Sequence, residues 1–585
     1  MASRSRLRKL LDYLRPHWRQ TAVGIGALLL VNILAVTLPR VIGSAVDELQ
    51  AASSVNMQQI LAYAVQVLVL ASIMLVIRLA SRQLIFGVGR KVEFDLKQRI
   101  FQHLLTMEPS YFAENTIGDL INRATSDVDN IRRLLGFAVL SLINTLLAYA
   151  FVLPAMMLLH FRLSVLAIAV YPIMLTTVQL FSQRLRTQQE NVQEELSEIS
   201  ELIQEDMSGI GLIKIYAQEQ NERRAFGRRN EHLLKANLTL AKTRNFLFPL
   251  LEGLTSLSLL VILWMGSRAI AADTLTVGNF VTLILYIQQL VFPTALLGFT
   301  ITAYQRGEVS VDRVEAILNQ EPKIQNREGA MSLARSGVQG WLKADNLSFT
   351  YPGSEVPALD QISFSIEPHQ TVAVVGPIGS GKSTLANALP RLLDIQSNQL
   401  YLDGVDITEI SLEDLRQAIA YVPQDSFLFS STIRDNIRYG EPLKDQPSIE
   451  QAARKAQIHP EIENFPQQYE TLVGERGITL SGGQRQRTAL SRALLVDAPI
   501  LILDDALSSV DNQTATQILR EISTGTQRKT VIFISHQMSA AATADLILVM
   551  DAGRIVQSGT HTALMQQQGL YRSLWERQRL EAQLA

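Results

Sequence analysis

Hydrophobic positions are distributed unevenly along the chain. Six long apolar windows occupy the first half, at about 21–38, 60–77, 137–159, 163–181, 245–267 and 278–304, almost without charge. Each is close to the ~20 residues a helix needs to cross ~30 Å of hydrocarbon. The pattern therefore predicts six membrane-spanning helices rather than the buried helices of a large soluble protein. VLSLINTLLAYAFVLPAMMLLHFRLSVLAIAVYPIML is twice too long for one span, and His160, Phe161 and Arg162 within it mark a tight turn between two.

Between the second and third windows, and again between the fourth and fifth, the pattern changes. Stretches such as LRTQQENVQEELSEISELIQEDMSGIGLIKIYAQEQNERRAF space apolar residues three and four apart among charged ones, the period of an amphipathic helix. They predict two hairpins that continue the membrane helices, with arms of ~25 to 30 residues and a reach of about 40 Å at ~1.5 Å per residue. The tips fall around SYFAENTIGDLINR and EDMSGIGLIKIY, where Gly118 and the Gly209/Gly211 pair break the helical pattern. Such tips are either contact points or plain stalk turns. From about 305 to 340 the chain turns polar and rich in breakers, and short β-rich runs alternating with helices follow from WLKADNLSFTY onward. The boundaries expected are a membrane domain over 1–318, a linker over 319–336 and a soluble α/β domain over 337–585.

Charge gives this plan an orientation. Residues 1–20 hold six Lys or Arg, 78–135 hold nine and 182–244 hold ten, whereas the opposite connections hold only Arg40, Arg162 and Arg268. The positive-inside tendency places the N-terminus and both hairpins in the cytoplasm. The first residues are basic but lack a short apolar stretch ending in a cleavage site, so no removable signal peptide is expected. The 47% apolar content fits a membrane part joined to a soluble one. With 53 basic and 55 acidic residues there is no global attraction for nucleic acid. The absence of cysteine excludes disulfides, thiolate metal sites and a cysteine nucleophile.

Candidate chemistry lies in the second half. TVAVVGPIGSGKSTL is an apolar strand followed by G-x-x-x-x-G-K-S, from Gly376 to Ser383. Glycines let the backbone wrap phosphates, successive N–H groups and a helix start supply positive potential, Lys382 neutralises outer phosphates and the Ser383 hydroxyl ligates magnesium. Pro377, Ile378, Gly379, Ser380, Gly381 and Thr384 complete the loop. ILILDD, ending in Asp504 and Asp505, reads as a buried strand delivering a metal-binding carboxylate, followed by the position of a water-orienting base. ITLSGGQRQRTALSRALL places Ser481, Gly482, Gly483 and Gln484 at the start of a second amphipathic helix, another anion-binding end.

LSGGQ beside that phosphate loop and six spans resembles the ATP-binding cassette (ABC) family, in its exporter half-transporter form of the multidrug-resistance and lipid-flippase type, over nearly the whole chain. The resemblance implies a transmembrane bundle with an N-terminal elbow helix, then a P-loop NTPase fold with helical and antiparallel β subdomains. It implies ATP and Mg2+ as cofactors, Tyr351 stacking on adenine, Gln424 sensing γ-phosphate and magnesium, and Glu475 meeting the hairpins. Ser508 and Asp511 match the loop that crosses the dimer interface, and His536 matches the histidine that grips γ-phosphate. It also makes the hairpin tips coupling helices and the partner a second half transporter, with each ATP held between one chain's phosphate loop and the other's LSGGQ.

At position 505 the family pattern is glutamate, and this chain carries aspartate. A carboxylate shorter by one C–C bond, set against misplacements that cost on the order of 100-fold, implies slow hydrolysis at this site; the alternative is the same work in a tighter pocket. The profile is similar to one subunit of bacterial heterodimeric exporters, whose partner supplies the competent glutamate. The other readings are a homodimer with two weak sites and a non-transporting ATP-gated regulator. The expected setting is the cytoplasmic membrane, with amphiphilic drugs, lipids or peptides as cargo. Glu252 lies within a predicted span, compatible with a cationic ligand or with solvation near a helix end. Asn32, Asn144, Gln179, Gln288 and Gln289 either line a cavity or bond between helices. Pro154, Pro172, Pro249 and Pro293 mark candidate kinks.

Overall fold

The computed structural model describes residues 9–51, 57–333, 337–474, 477, 479–524 and 529–584. Its contacts divide into two compact units, one made of Met1–Thr106 with Asn115–Gln320, the other of Met107–Glu114 with Glu321–Ala585.

In the first unit all six apolar windows lie within long helices: α1 (Lys9–Gln50), α2 (Met57–Leu104), α3 (Ile117–Leu159), α4 (Phe161–Ser208), α5 (Glu219–Ala271) and α6 (Val277–Leu318). They run from 42 to 53 residues, about 60 to 80 Å at ~1.5 Å per residue and so twice the hydrocarbon thickness. Hydrophobicity drives little association between such helices in lipid, so close backbone approach and interhelical hydrogen bonds hold the bundle. At the α1–α6 crossing a Cβ built on Gly43 would lie 2.6 Å from the Gly278 carbonyl oxygen, and one on Gly278 would lie 2.0 Å from that of Gly43. Any side chain there would force the helices apart. Asp47 Oδ1 accepts from the Gly278 N–H at 2.6 Å beside this contact. Tyr286 donates to the Val36 carbonyl at 2.7 Å and Tyr171 to that of Ile287 at 2.8 Å. Asn32 and Asn144 bond to each other at 3.2 Å, which settles their role as an α1–α3 link.

The turns differ from the sequence pattern in detail. His160 alone leaves helical geometry, with φ −161° and ψ 100°, and its Nδ1 accepts from the Leu163 N–H at 3.3 Å; Phe161 and Arg162 already belong to α4. Gly118 does not break a helix but sits inside the first turn of α3. The interruption falls earlier, on both sides of a short helix Pro109–Glu114, where a proline opens the helix and the Thr116 hydroxyl caps the next. At the second tip Gly209 ends α4 and Gly211 lies within a short helix, Ile210–Ile215. The polar stretch beginning near 305 is helical up to Leu318, because Val311, Val314 and Ile317 remain buried at helical spacing.

The second unit carries two sheets. Strands β1 (Leu342–Phe349), β2 (Leu359–Ile366), β4 (Leu400–Leu402) and β5 (Val405–Asp406) form an antiparallel sheet in the order β2-β1-β4-β5. Strands β3 (Thr371–Val375), β6 (Ile419–Val422), β7 (Ile500–Asp504), β8 (Thr530–Ile534), β9 (Leu546–Asp551) and β10 (Arg554–Gly559) form the other, ordered β10-β9-β3-β8-β7-β6. Strands β9, β3, β8, β7 and β6 run parallel, and the edge strand β10 is antiparallel to β9. The wholly buried strands β3, β7 and β8 are apolar apart from a threonine at the start of β3 and β8 and Asp504 at the end of β7, as a sheet covered on both faces requires. A helical block over residues 433–496 packs against it through Ile433, Ile437, Ile449 and Leu490.

Candidate active site

Functional side chains gather where open α/β sheets bind ligands, at the carboxyl ends of the parallel strands. Leaving β3, the chain turns through Gly376 at φ +153° and Gly381 at φ +94°. A Cβ would lie 2.1 Å from the Met550 carbonyl oxygen at the first and 2.4 Å from that of Ala358 at the second, so only glycine fits either place. Helix α7 (Lys382–Ala388) follows directly. The Lys382 ammonium donates to the carbonyl oxygens of Gly376 at 3.0 Å and Pro377 at 2.7 Å. Burial lowers its pKa, while Asp505 and Asp504 act in the opposite sense.

Register then sets the acids. Asp504 pairs with Ile534 across β7 and β8, so Asp505 and His536 emerge from neighbouring strand ends. The Asp504 carboxylate is buried, accepting from the Ser383 hydroxyl at 2.9 Å and from the Tyr421 hydroxyl at 3.3 Å. Burial pushes its pKa above the usual carboxylate range against the lowering effect of those two bonds. Asp505 is raised for the same reason, with His536 and Lys382 opposing. Its backbone lies in the left-handed region at φ +49°, where short polar residues such as Asp and Asn are the most tolerated after glycine.

These groups line one cleft of about 310 Å³, shared by Tyr351, Ile378 through Thr384, Gln424, Asp504, Asp505 and His536. Tyr351 is 40% exposed at its mouth, with its hydroxyl 3.3 Å from that of Thr384. Gly376 and Pro377 contribute backbone rather than surface. Ser383 and Asp504 converge as hard oxygen donors suited to magnesium. Among the described residues no group of three or more His, Cys, Asp or Glu could hold a metal ion, so an ion here would need oxygens from a bound phosphate.

Ser481, Gly482, Gly483 and Gln484 do not line this cleft. They open helix α8 (Gly482–Val496) with a capping box, in which Gln484 N–H donates to the Ser481 hydroxyl at 3.3 Å and Ser481 N–H to Gln484 Oε1 at 2.9 Å. Gln484 Nε2 also donates to Glu461 at 2.9 Å, so its side chain is used within the fold. A Cβ on Gly483 would lie 2.8 Å from the Ser509 carbonyl oxygen. Ser508 accepts from Gln486 at 2.9 Å, and Asp511 Oδ1 accepts from the Thr514 N–H at 2.9 Å, capping the helix Asn512–Thr524. Glu475 lies outside the described residues.

Two contributors escaped the sequence reading. Tyr421, three residues before Gln424 on the strand beside β7, stands against Asp504, and its hydroxyl lies 2.9 Å from Asn387 Oδ1, so its one proton is shared between the two oxygens. Gln486 clamps Ser508 and Ser509 through both ends of its amide. Strand adjacency to ILILD was the available signal for Tyr421; nothing local marks Gln486.

Comparison with known proteins agrees with this fold. Residues 21–294 match the family described as the ABC transporter transmembrane region and residues 359–508 the ABC transporter family. A probable multidrug resistance ABC transporter ATP-binding/permease protein of Bacillus subtilis, YheI, is 33% identical over 98% of this chain and 98% of its own. An ATP-dependent lipid A-core flippase of Thiobacillus denitrificans is 32% identical over 97% of each. A solved structure of a bacterial Atm1-family ABC exporter with ATP bound superimposes with a TM-score of 0.79 at 25% identity, covering 96% of this chain and 99% of that one. With a phosphate loop, paired acids and LSGGQ behind six apolar helices, the chain belongs to the ABC transporter family, in the exporter form that fuses membrane and ATP-binding regions.

Proposed function

We propose that this chain is one subunit of a heterodimeric exporter that moves amphiphilic substrates across the cytoplasmic membrane at the expense of ATP, and that its own cleft hydrolyses ATP slowly. The observation that carries the reading is the separation of the two anion-binding ends. The cleft holds a phosphate loop, a lysine and two carboxylates but no LSGGQ residue, so a site of the family type needs a second cassette.

In this reading Tyr351 stacks on adenine, and the loop from Gly376 to Thr384 with Lys382 holds the phosphates. Ser383, Asp504 and Gln424 direct oxygens to magnesium, which would neutralise phosphate charge when bound. His536 meets the γ-phosphate and Asp505 orients the attacking water. Ser481 to Gln484, with Ser508 and Asp511, face the partner's nucleotide. The two hairpins are cytoplasmic and carry cassette closure to the bundle as alternating access. Aspartate at 505 supports the slow half: a side chain about one C–C bond short of glutamate leaves the water misaligned, an error that costs on the order of 100-fold.

ATP turnover by the purified chain, alone and mixed with a second half transporter, tests the assembly. Activity restored only in the mixture is expected, whereas full activity of the lone chain makes it a homodimer.

A further inference from the structure

Glu252 is the single Asp, Glu, Lys or Arg in the six apolar windows. On α5 it stands eight residues from Arg244 and sixteen from Arg268, which puts it ~12 Å along the axis from the nearer charge at ~1.5 Å per residue. That places it inside an apolar window of spanning length. A carboxylate there is unfavourable unless a cation or water compensates it. Among the described residues Glu252 has no hydrogen-bond or ion-pair partner.

It opens onto a cleft of about 470 Å³ between α5 and α6, within the ~300 to 1,000 Å³ typical of drug-sized ligands. Among the described residues Gln288 and Ser256 add two polar groups with no hydrogen-bond partner, whereas the Thr255 hydroxyl is already used on the Leu251 carbonyl at 2.8 Å. Leu259, Val291 and Phe292 supply the apolar wall, with Phe292 60% exposed. One carboxylate offers too few oxygens for a bare divalent ion, which takes six or more, and it repels an anion. A wall of aliphatic and aromatic carbon facing a single negative charge suits a hydrophobic body carrying one positive charge.

We propose that this cleft binds amphiphilic organic monocations and that Glu252 selects for their charge. The proposal takes its cargo role from the export reading; the binding step stands without it. The same ammonium chemistry is available from a free organic cation or from an amine lipid headgroup.

The test uses the full-length chain in nanodiscs of phosphatidylglycerol, with tetraphenylphosphonium as probe and triphenylphosphine oxide as its uncharged counterpart. Glu252→Gln is expected to weaken phosphonium binding at least 10-fold while changing binding of the oxide less than 2-fold, and Glu252→Asp to restore most of the phosphonium affinity. Equal phosphonium affinity in native and Glu252→Gln chains overturns the proposal. So does absence of phosphonium binding to the native chain, or an equal loss of both probes. Adding phosphatidylethanolamine separates the sources: competition in the native chain that disappears in Glu252→Gln identifies the lipid amine, and no competition identifies the free cation. Glu252-dependent binding without ATP-driven flux in vesicles that hold this chain together with a second half transporter would uphold the site and remove the export reading. Phosphonium flux insensitive to Glu252→Gln would do the reverse.

Discussion

The cassette presents two helix starts that both look built for anions, and they are finished in different ways. At α7 the loop is forced into left-handed turns against the carbonyls of Ala358 and Met550, and a lysine, a serine and two carboxylates surround it. At α8 the start is closed on itself: Ser481 and Gln484 cap each other, and Gly483 makes room for Ser509. The first end gathers a lysine, hydroxyls and two carboxylates in one cleft, and none of the LSGGQ residues lines it. The second has donors but no catalytic group. A helix N-terminus is therefore not a site until its surroundings supply the remaining functions.

The sharpest way to probe this contrast is at Asp505. Asp505→Glu is expected to raise ATP turnover at this chain's cleft on the order of 100-fold, measured with a partner whose own catalytic base has been removed. Unchanged turnover would detach the slow half from this residue. A somewhat smaller effect is expected from Lys382→Ala: losing a charged hydrogen bond worth about 1.5 to 3 kcal/mol weakens ATP affinity roughly 10- to 100-fold. Calorimetric titration of the isolated chain measures it. Ser481→Ala should disturb the same titration less, and an equal loss would mean that the two ends do not differ as described.

Next comes pH. Burial raises the Asp504 pKa, and a carboxyl raised on folding stabilises the fold at pH below its unfolded pKa, then loses that contribution as pH climbs to the raised value. The nucleotide-free cassette should thus lose stability from about pH 4 upward through this group. Asp504→Asn should flatten that part of the thermal unfolding curve against pH, leaving a protein more stable at neutral pH but deficient in magnesium-dependent ATP binding. The smallest effect is on stability alone, where Ser481→Ala removes a helix cap worth about 1 kcal/mol, visible as a lower midpoint in denaturant.

Much was legible beforehand because the signals are local. Six apolar windows of spanning length, with Glu252 their single charge, required six helices, and all six are there. The Gly376 to Ser383 spacing required a strand, a turn and a helix, which β3 and α7 provide. Errors arose where a residue type was trusted without its neighbours. Gly118 was read as a breaker, yet a glycine near a helix start is tolerated, and Pro109 and Thr116 set the ends instead. At Asp505, by contrast, the length argument carries forward, and the left-handed backbone adds a second determinant of where a carboxylate there can point. Asn32 and Asn144, 112 residues apart, could not be paired from sequence.

By itself the sequence determined the spans, the alternation of strands and helices and the residues able to handle phosphate, since periodicity and glycine spacing act over a few neighbouring positions. Tertiary structure alone decided which of those residues share a cleft. That choice depends on strand order and register, which set Asp504 beside Ser383 and Tyr421 while leaving Ser481 on a different face. It likewise decided that Glu252 shares a cleft with Gln288 and Phe292 of the next helix, because proximity between distant segments is fixed by packing and not by position along the chain.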